Sequence, residues 1–284
     1  MKNICLFILF IIYNVTLFAQ NYTGQIFNAE TKQPISYASI GIIGKSLGTI
    51  SDANGVFHIN IDKKSNNDTI TICLLGYKST SYKCSDFASK NEGSKKYFLE
   101  EVIYNLPEAI IRPKNYISET VGNLGDKNTS ISFEITDTLG ETGAEVGTYI
   151  NIKQKLVLID SIGFGIAEND YDSIIFRINI YKGDNKKASE SITKKPIYVT
   201  VKKGVNKDFN LDIRRYNISV DGDFIIAAQV VDFPKKEKGK TAKKFSFKGR
   251  FLGHGMLLRG NPFSDWEKLP SVSVAFHASV SYEK

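Results

Sequence analysis

Alternation of apolar and polar residues with a period of two dominates the chain, and that period is the mark of half-buried β-strands. In Val56-Phe57-His58-Ile59-Asn60-Ile61 it sends Phe57, Ile59 and Ile61 inward and His58 outward. Thr69–Leu74 places Ile70, Ile72 and Leu74 on one face and Cys73 on the other. Asp172–Tyr181 does the same with Phe176, Ile178 and Ile180 against Arg177, Asn179 and Tyr181. The final stretch sets Val272, Val274, Phe276, Ala278, Val280 and Tyr282 against Ser271, Ser273, Ala275, His277, Ser279 and Ser281. Asp223–Val231 is instead almost continuously apolar, as for a central strand covered on both faces. Further strands are expected near Tyr22–Phe27, Ser39–Ile43, Lys78–Tyr82 and Lys96–Val102. Helical periodicity is nearly absent, so the fold class is all-β.

Turn signals divide these strands into two β-sandwich domains in tandem. The first runs over residues 21–104. Residues 105–125 hold Pro107, Pro113, Gly122 and Gly125 in a polar stretch and read as a linker or connecting strand. Residues 126–284 form the second sandwich, with eight or so strands and a jelly-roll character. Asp52-Ala53-Asn54-Gly55 is a tight-turn signal, because Asn and Gly tolerate positive φ.

The first domain carries an ordered set of motifs: Gly24-Gln25-Ile26, Pro34-Ile35, Ala38-Ser39-Ile40, then Gly48-Thr49-Ile50-Ser51-Asp52-Ala53-Asn54-Gly55-Val56-Phe57, then Leu74-Leu75-Gly76-Tyr77-Lys78. In order and spacing this resembles the carboxypeptidase-regulatory-like domain, a transthyretin-like (Ig-like) sandwich common on exported proteins of the Bacteroidetes. The chain departs from that pattern at Ile42–Leu47, which changes a loop and not the fold. The resemblance implies an exported protein, in the periplasm, at the outer-membrane surface or secreted, and it brings no chemistry of its own. The second unit is more loosely similar to modules that follow such domains, and no activity comes with that similarity.

The ends and the composition agree with export. Met1-Lys2-Asn3 and the apolar run Ile4–Phe18, followed by the small Ala19, read as a signal peptide over residues 1–20. The run is shorter than the roughly 20 residues of a spanning helix and is interrupted by Asn14 and Thr16. The net charge of +7 is concentrated in Lys235–Lys244. No aromatic residue interleaves those lysines to stack bases, so nucleic acid is not the expected partner. A solvated hairpin loop, or contact with an acidic glycan or lipopolysaccharide, is. Cys73 and Cys84 are expected to stay unbridged: a turn at Leu75–Tyr77 puts Cys73 opposite Ser79, several residues from Cys84.

The catalytic motifs fail on context. Gly44-Lys45-Ser46-Leu47-Gly48 has the spacing of a nucleophile elbow, but Ser46 is followed by strands and not by a helix. None of His58, His254 and His277 has a glutamate three residues on, so no metallocarboxypeptidase ligand set exists, and neither a metal nor a cofactor is expected. Asp52-x-Asn54-Gly55 lacks the closing Glu of a calcium loop. Carboxylates for glycoside hydrolysis are plentiful (Glu134, Asp137, Glu141, Glu145, Asp160, Glu168, Asp170, Asp172), but sequence does not give their separation. The best binding clue is the loop with His254, Arg259, Asp265 and the sole tryptophan, Trp266. An aromatic ring beside polar groups suits a sugar ring and its hydroxyls; the alternative is that Trp266 plugs one end of the core. The reading is an exported, non-catalytic binding or interaction protein of the bacterial envelope, with a glycan or another envelope protein as partner. A glycoside hydrolase or other hydrolase, and a purely structural envelope protein, are the competing classes.

Overall fold

The computed structural model describes residues 19–88, 95–102, 115–125, 130–133, 142–153, 156–184, 187–204, 208–234, 243–251 and 255–284, which are all-β apart from three short helical turns. The export segment 1–18, most of the basic run and His254 lie outside the described residues.

Two sheets form the first sandwich. One has the order Val56–Asp62, Ala19–Asn28, Lys95–Leu99, the last pair parallel. The other has the order Gly48–Ile50, Ser39–Ile42, Thr69–Cys73, Thr80–Lys83. Ile26, Phe57, Ile59, Ile61, Tyr97 and Leu99 of the first sheet face Ile40, Ile42, Ile70 and Ile72 of the second. Val56–Asp62 alternates as its sequence predicts, with His58 exposed. The Asp52–Gly55 turn forms: the Asp52 carboxylate accepts from the backbone N–H groups of Asn54 and Val56, and Gly55 takes φ +75. Its flanking strands belong to different sheets, so it is a corner between layers and not a hairpin.

The second sandwich is larger than expected. A seven-stranded sheet runs Lys187–Ser191, Ser173–Asp184, Phe224–Asp232, Glu145–Ile150, Met256–Arg259, Glu267–Leu269, with Ile197–Lys202 also paired to Ser173–Asp184. An eight-stranded sheet is built around the long strand Leu156–Asn169. It includes Phe276–Glu283 and, on that strand's other edge, Tyr116–Gly122. Tyr116–Gly122 falls in the stretch read as linker; pairing to the C-terminal strand satisfies backbone groups that composition alone leaves unassigned. The alternating C-terminal stretch is two strands, broken at Ala275, and the first of them pairs with Phe245–Phe251 instead. Between the sheets lie Phe164, Phe176, Phe224, Phe245, Phe247 and Phe276, each almost wholly buried. Phe224–Val231 is buried throughout, as its continuous apolarity predicts.

His277 belongs to this frame. Its ring lies over Gly163, where an added Cβ would fall 2.1 Å from Nε2, and its Nδ1 is buried with no hydrogen-bond partner. Burial holds its pKa below the ordinary value, and nearby Asp208 opposes this only in part. Folding then prefers the neutral ring, whose contribution is complete above the unfolded value of about 6.5 and is lost as pH falls toward the lower folded value. We expect thermal stability measured from about pH 7.5 to 5 to decline in the wild type more steeply than in His277→Asn; parallel curves would contradict the assignment.

Candidate functional site

The four sheets stack as layers, and the chemistry gathers in the seam between the two middle ones. Period-two geometry explains this: with Ile174, Phe176, Ile178 and Ile180 committed to the second core, Ile175, Arg177, Asn179 and Tyr181 must point the other way. They meet the outer face of the Ser39–Ile42 and Thr69–Cys73 strands, where Ser39 is directly paired with Cys73 and Gly41 with Thr71. Small residues on that face permit close approach. An added Cβ at Gly41 would lie 2.4 Å from the Phe263 ring and 2.6 Å from the Leu47 carbonyl oxygen.

Along the seam the character changes in three steps. Tyr37, Ile50 and Val231 make an apolar end, partly backed by Ile175. The Tyr37 hydroxyl donates to Asp232 at 3.2 Å, and burial, followed by that carboxylate, pushes its pKa up to about 12. Next comes Arg177, only 5% exposed. Its Nε donates to Gln229 Oε1 (2.9 Å), its Nη1 to the Tyr37 carbonyl (2.9 Å) and its Nη2 to Ser39 Oγ (3.0 Å). Gln229 is fixed in turn by donating to the Gly143 carbonyl.

The third step is a charged cluster. Glu145 is fully buried and accepts from Asn179 (2.8 Å), the Tyr181 hydroxyl (2.9 Å) and Arg259 Nε (2.8 Å). Arg259 also donates to Tyr181 and to the Pro262 carbonyl. Burial works most strongly against the charge on Arg259, but Glu145 and Tyr181 together outweigh it and the pKa rises. Burial and then Glu145 keep Tyr181 protonated well above its usual range, so it remains a donor.

The tryptophan loop therefore does something the sequence does not foretell. Trp266 neither plugs the end of the sandwich core nor stands as an open platform. It is half-buried on the outer face of the seven-stranded sheet with Tyr181, Ile225, Ala227 and Leu257. Arg259 lies over its ring at 4.5 Å, and Tyr181 meets it edge-on at 5.7 Å. Asp265 is exposed on the same loop. Nearby, Phe263 and Asn261 dock on Gly41 and Gly48 of the first sandwich, and the Phe263 carbonyl accepts from the Gly44 N–H. The structure thus joins Arg259 to Trp266 and leaves Asp265 outside their contact. Ser46 sits in an exposed turn. Of the described candidate carboxylates, Glu145 alone enters the seam; Asp172 pairs with Lys243 at the surface, and Asp170 accepts from the Lys244 N–H.

Two spaces open between the layers. A cleft of about 280 Å³ is lined by Ser39, Cys73, Ser79, Arg177, Asn179 and Arg259, among others. A groove of about 480 Å³ is walled by Tyr77, Tyr198 and Tyr216 with Pro34 and Pro196. Both share Leu74–Tyr77 as a border. Cys73 and Cys84 are free thiols; Cys73 opens onto the cleft, and Cys84 is buried beside Asp68. Sequence reasoning missed Arg177, Gln229 and the tyrosine wall. The usable signal was a polar alternation next to the continuously apolar Phe224–Val231, whose second covering must come from elsewhere.

No helix among the described residues is long and apolar enough to cross a membrane, and no group of three metal-ligating side chains occurs among them. A search of curated proteins finds no match. Among solved structures, a clostridial cysteine protease, Cwp84, after propeptide cleavage is 8% identical with a TM-score of 0.40, covering 59% of this chain and 40% of that one. The infectious bursal disease virus VP2 subviral particle is 12% identical with a TM-score of 0.31, covering 92% and 63%. This chain thus spans less than two thirds of either, and likeness this slight transfers no property. Residues 22–111, which span the first sandwich, match the model of the CarboxypepD_reg-like domain.

Proposed function

We propose that this protein is an exported, non-catalytic binding protein of the bacterial envelope whose ligand, a glycan in the leading version, lies along the seam between its two sandwiches. The observation that carries the reading is the groove with Tyr77, Tyr198 and Tyr216 on its walls, bordered at Leu74–Tyr77 by the same segment that borders the polar cleft. Aromatic faces suit the C–H surfaces of sugar rings, and the serine, amide and guanidinium groups suit their hydroxyls. Arg259 and Pro262 line the cleft and Trp266 lies against Arg259, so the loop singled out from sequence contributes a wall through those two residues and not a platform. A glycosidase needs two carboxyls flanking the scissile bond. Of the residues lining the two spaces, Glu101 is the one carboxylate, which favours binding over hydrolysis. Export is supported by the Met1–Ala19 pattern and by the domain type.

The test is a titration of the full chain with a panel of bacterial and host polysaccharides, followed by Trp266 emission and by calorimetry. At least one should bind saturably, with affinity falling roughly tenfold or more in Tyr198→Ala. Tyr198 is suited to that change because it is partly exposed and rests edge-on against Tyr37, so truncation spares the cores. Binding to no member of the panel, or equal binding by Tyr198→Ala, would sink the reading.

A further inference from the structure

Arg177 and Arg259 face the same cleft but are neutralised differently. Arg259 has Glu145 as counter-ion. Arg177 donates twice to the Gln229 amide oxygen, once to the Tyr37 carbonyl and once to the Ser39 hydroxyl, all uncharged, which leaves one of its five N–H donors, on Nη1, for a ligand. Among the described residues no carboxylate lies within ion-pair distance of it, and Asp232, the other acid of the seam, is engaged by the Tyr37 hydroxyl. A cation this deeply buried is expensive unless an opposite charge is near. Here the cation lines an opening instead of a sealed core, and Gln229, locked to the Gly143 carbonyl, holds its plane in one orientation. A rigid guanidinium, a net positive cleft and a path to solvent together suit an anion.

We infer that the cleft recognises a carboxylate, so that the ligand of the proposed groove is acidic, with one uronate-like unit seated against Arg177. This rests on the reading of the groove as a glycan path and names the class of sugar it takes. The lining fits the remainder of such a unit. Ser39 Oγ accepts from Arg177 and so has its hydroxyl hydrogen to donate. Leu74 and Pro262 offer apolar surface for ring carbons, and Ser79 stands exposed at the mouth. A volume of about 280 Å³ suits one sugar unit, leaving further units to the tyrosine-walled groove.

The experiment is calorimetric titration of the full chain at constant ionic strength with four probes: sodium glucuronate, glucose, polygalacturonate and dextran. The acids should bind roughly tenfold or more tighter than their neutral counterparts, as expected for one charged hydrogen-bonded contact. Arg177→Lys, which keeps the charge but not the plane that Gln229 holds in place, should weaken the acids by a similar factor, and Arg177→Gln should abolish the preference. Ser79→Trp, at an exposed position, should block the cleft in a folded protein even where Arg177→Gln does not fold. Tyr216→Ala, in the groove, should weaken the polymer and spare the monosaccharide; polymer binding left unchanged by it would sink the groove reading and leave a free acid as the ligand of the cleft. Equal affinity for acid and neutral probes, or acid binding unchanged in Arg177→Lys and Ser79→Trp, overturns the inference. Neutral binding lost in Tyr216→Ala but untouched by the Arg177 variants would overturn it while sparing the groove, and binding of no glycan would overturn both.

Discussion

Glu145→Ala is expected to destabilise the protein by about 3–5 kcal/mol, the cost of stripping a buried charge of its partner. The side chain is fully buried, and its two oxygens receive Asn179, Tyr181 and Arg259. Removing it leaves the Arg259 guanidinium, 13% exposed, without a counter-ion, and frees it from its position over Trp266. For a sandwich of this size the midpoint of thermal unfolding should fall by roughly 6–20 °C, measurable by calorimetry or circular dichroism. Pairing Glu145→Leu with Arg259→Leu should recover much of the loss, because two apolar side chains bring no desolvation penalty. A single-mutant loss below about 1 kcal/mol, the range of an exposed ion pair, would mean that the cluster is far wetter than its geometry implies.

Gly41→Val is expected to separate the sandwiches. Any Cβ there meets the Phe263 ring at 2.4 Å, the Leu47 carbonyl oxygen at 2.6 Å and Gly48 Cα at 2.9 Å. The ring can move, but Gly48 belongs to the strand pair that holds Ser39 in register, and the Leu47 carbonyl closes the turn before it by accepting from the Ile42 N–H. Overpacking of this kind costs about 1–3 kcal/mol. It falls on the contact that also carries the Gly44 N–H to Phe263 carbonyl hydrogen bond. Calorimetry should resolve two transitions for the variant and one for the wild type. Phe263→Ala in the Gly41→Ala background should restore part of the loss, since it removes the movable member of the clash. A single transition at the wild-type midpoint for Gly41→Val would contradict the docking geometry.

Much of this structure is legible in the chain because β-strands write their period into sequence. Val56–Ile61 and Asp172–Tyr181 assign faces correctly, and the pairing of Ile72 with Thr80 puts Cys73 opposite Ser79, as the turn at Leu75–Tyr77 predicts. What period two does not reveal is the neighbour on the second face. Arg177 and Asn179 look like solvent-facing polar residues, and only a partner sheet more than a hundred residues away makes them buried. Trp266 misleads for a related reason: its environment is set by Arg259 and Tyr181, which converge through sheet pairing and not through sequence proximity. Tyr116–Gly122 has weak alternation because it is largely exposed on one edge strand, so composition reads it as linker. The loop singled out from the sequence docks the two sandwiches through Asn261 and Phe263, and the proposed site rests on the deeper polar residues beside it.

The most direct test of the account is amide hydrogen exchange on the full chain with and without the acidic glycan that binds it most tightly. The seam reading predicts slowed exchange in two places at once, Leu74–Ser79 of the first sandwich and Ile197–Lys202 of the second, because both border the tyrosine-walled groove. Protection confined to one sandwich, or to the exposed strand Glu267–Leu269 beyond Trp266, would place the ligand on an outer surface and contradict it.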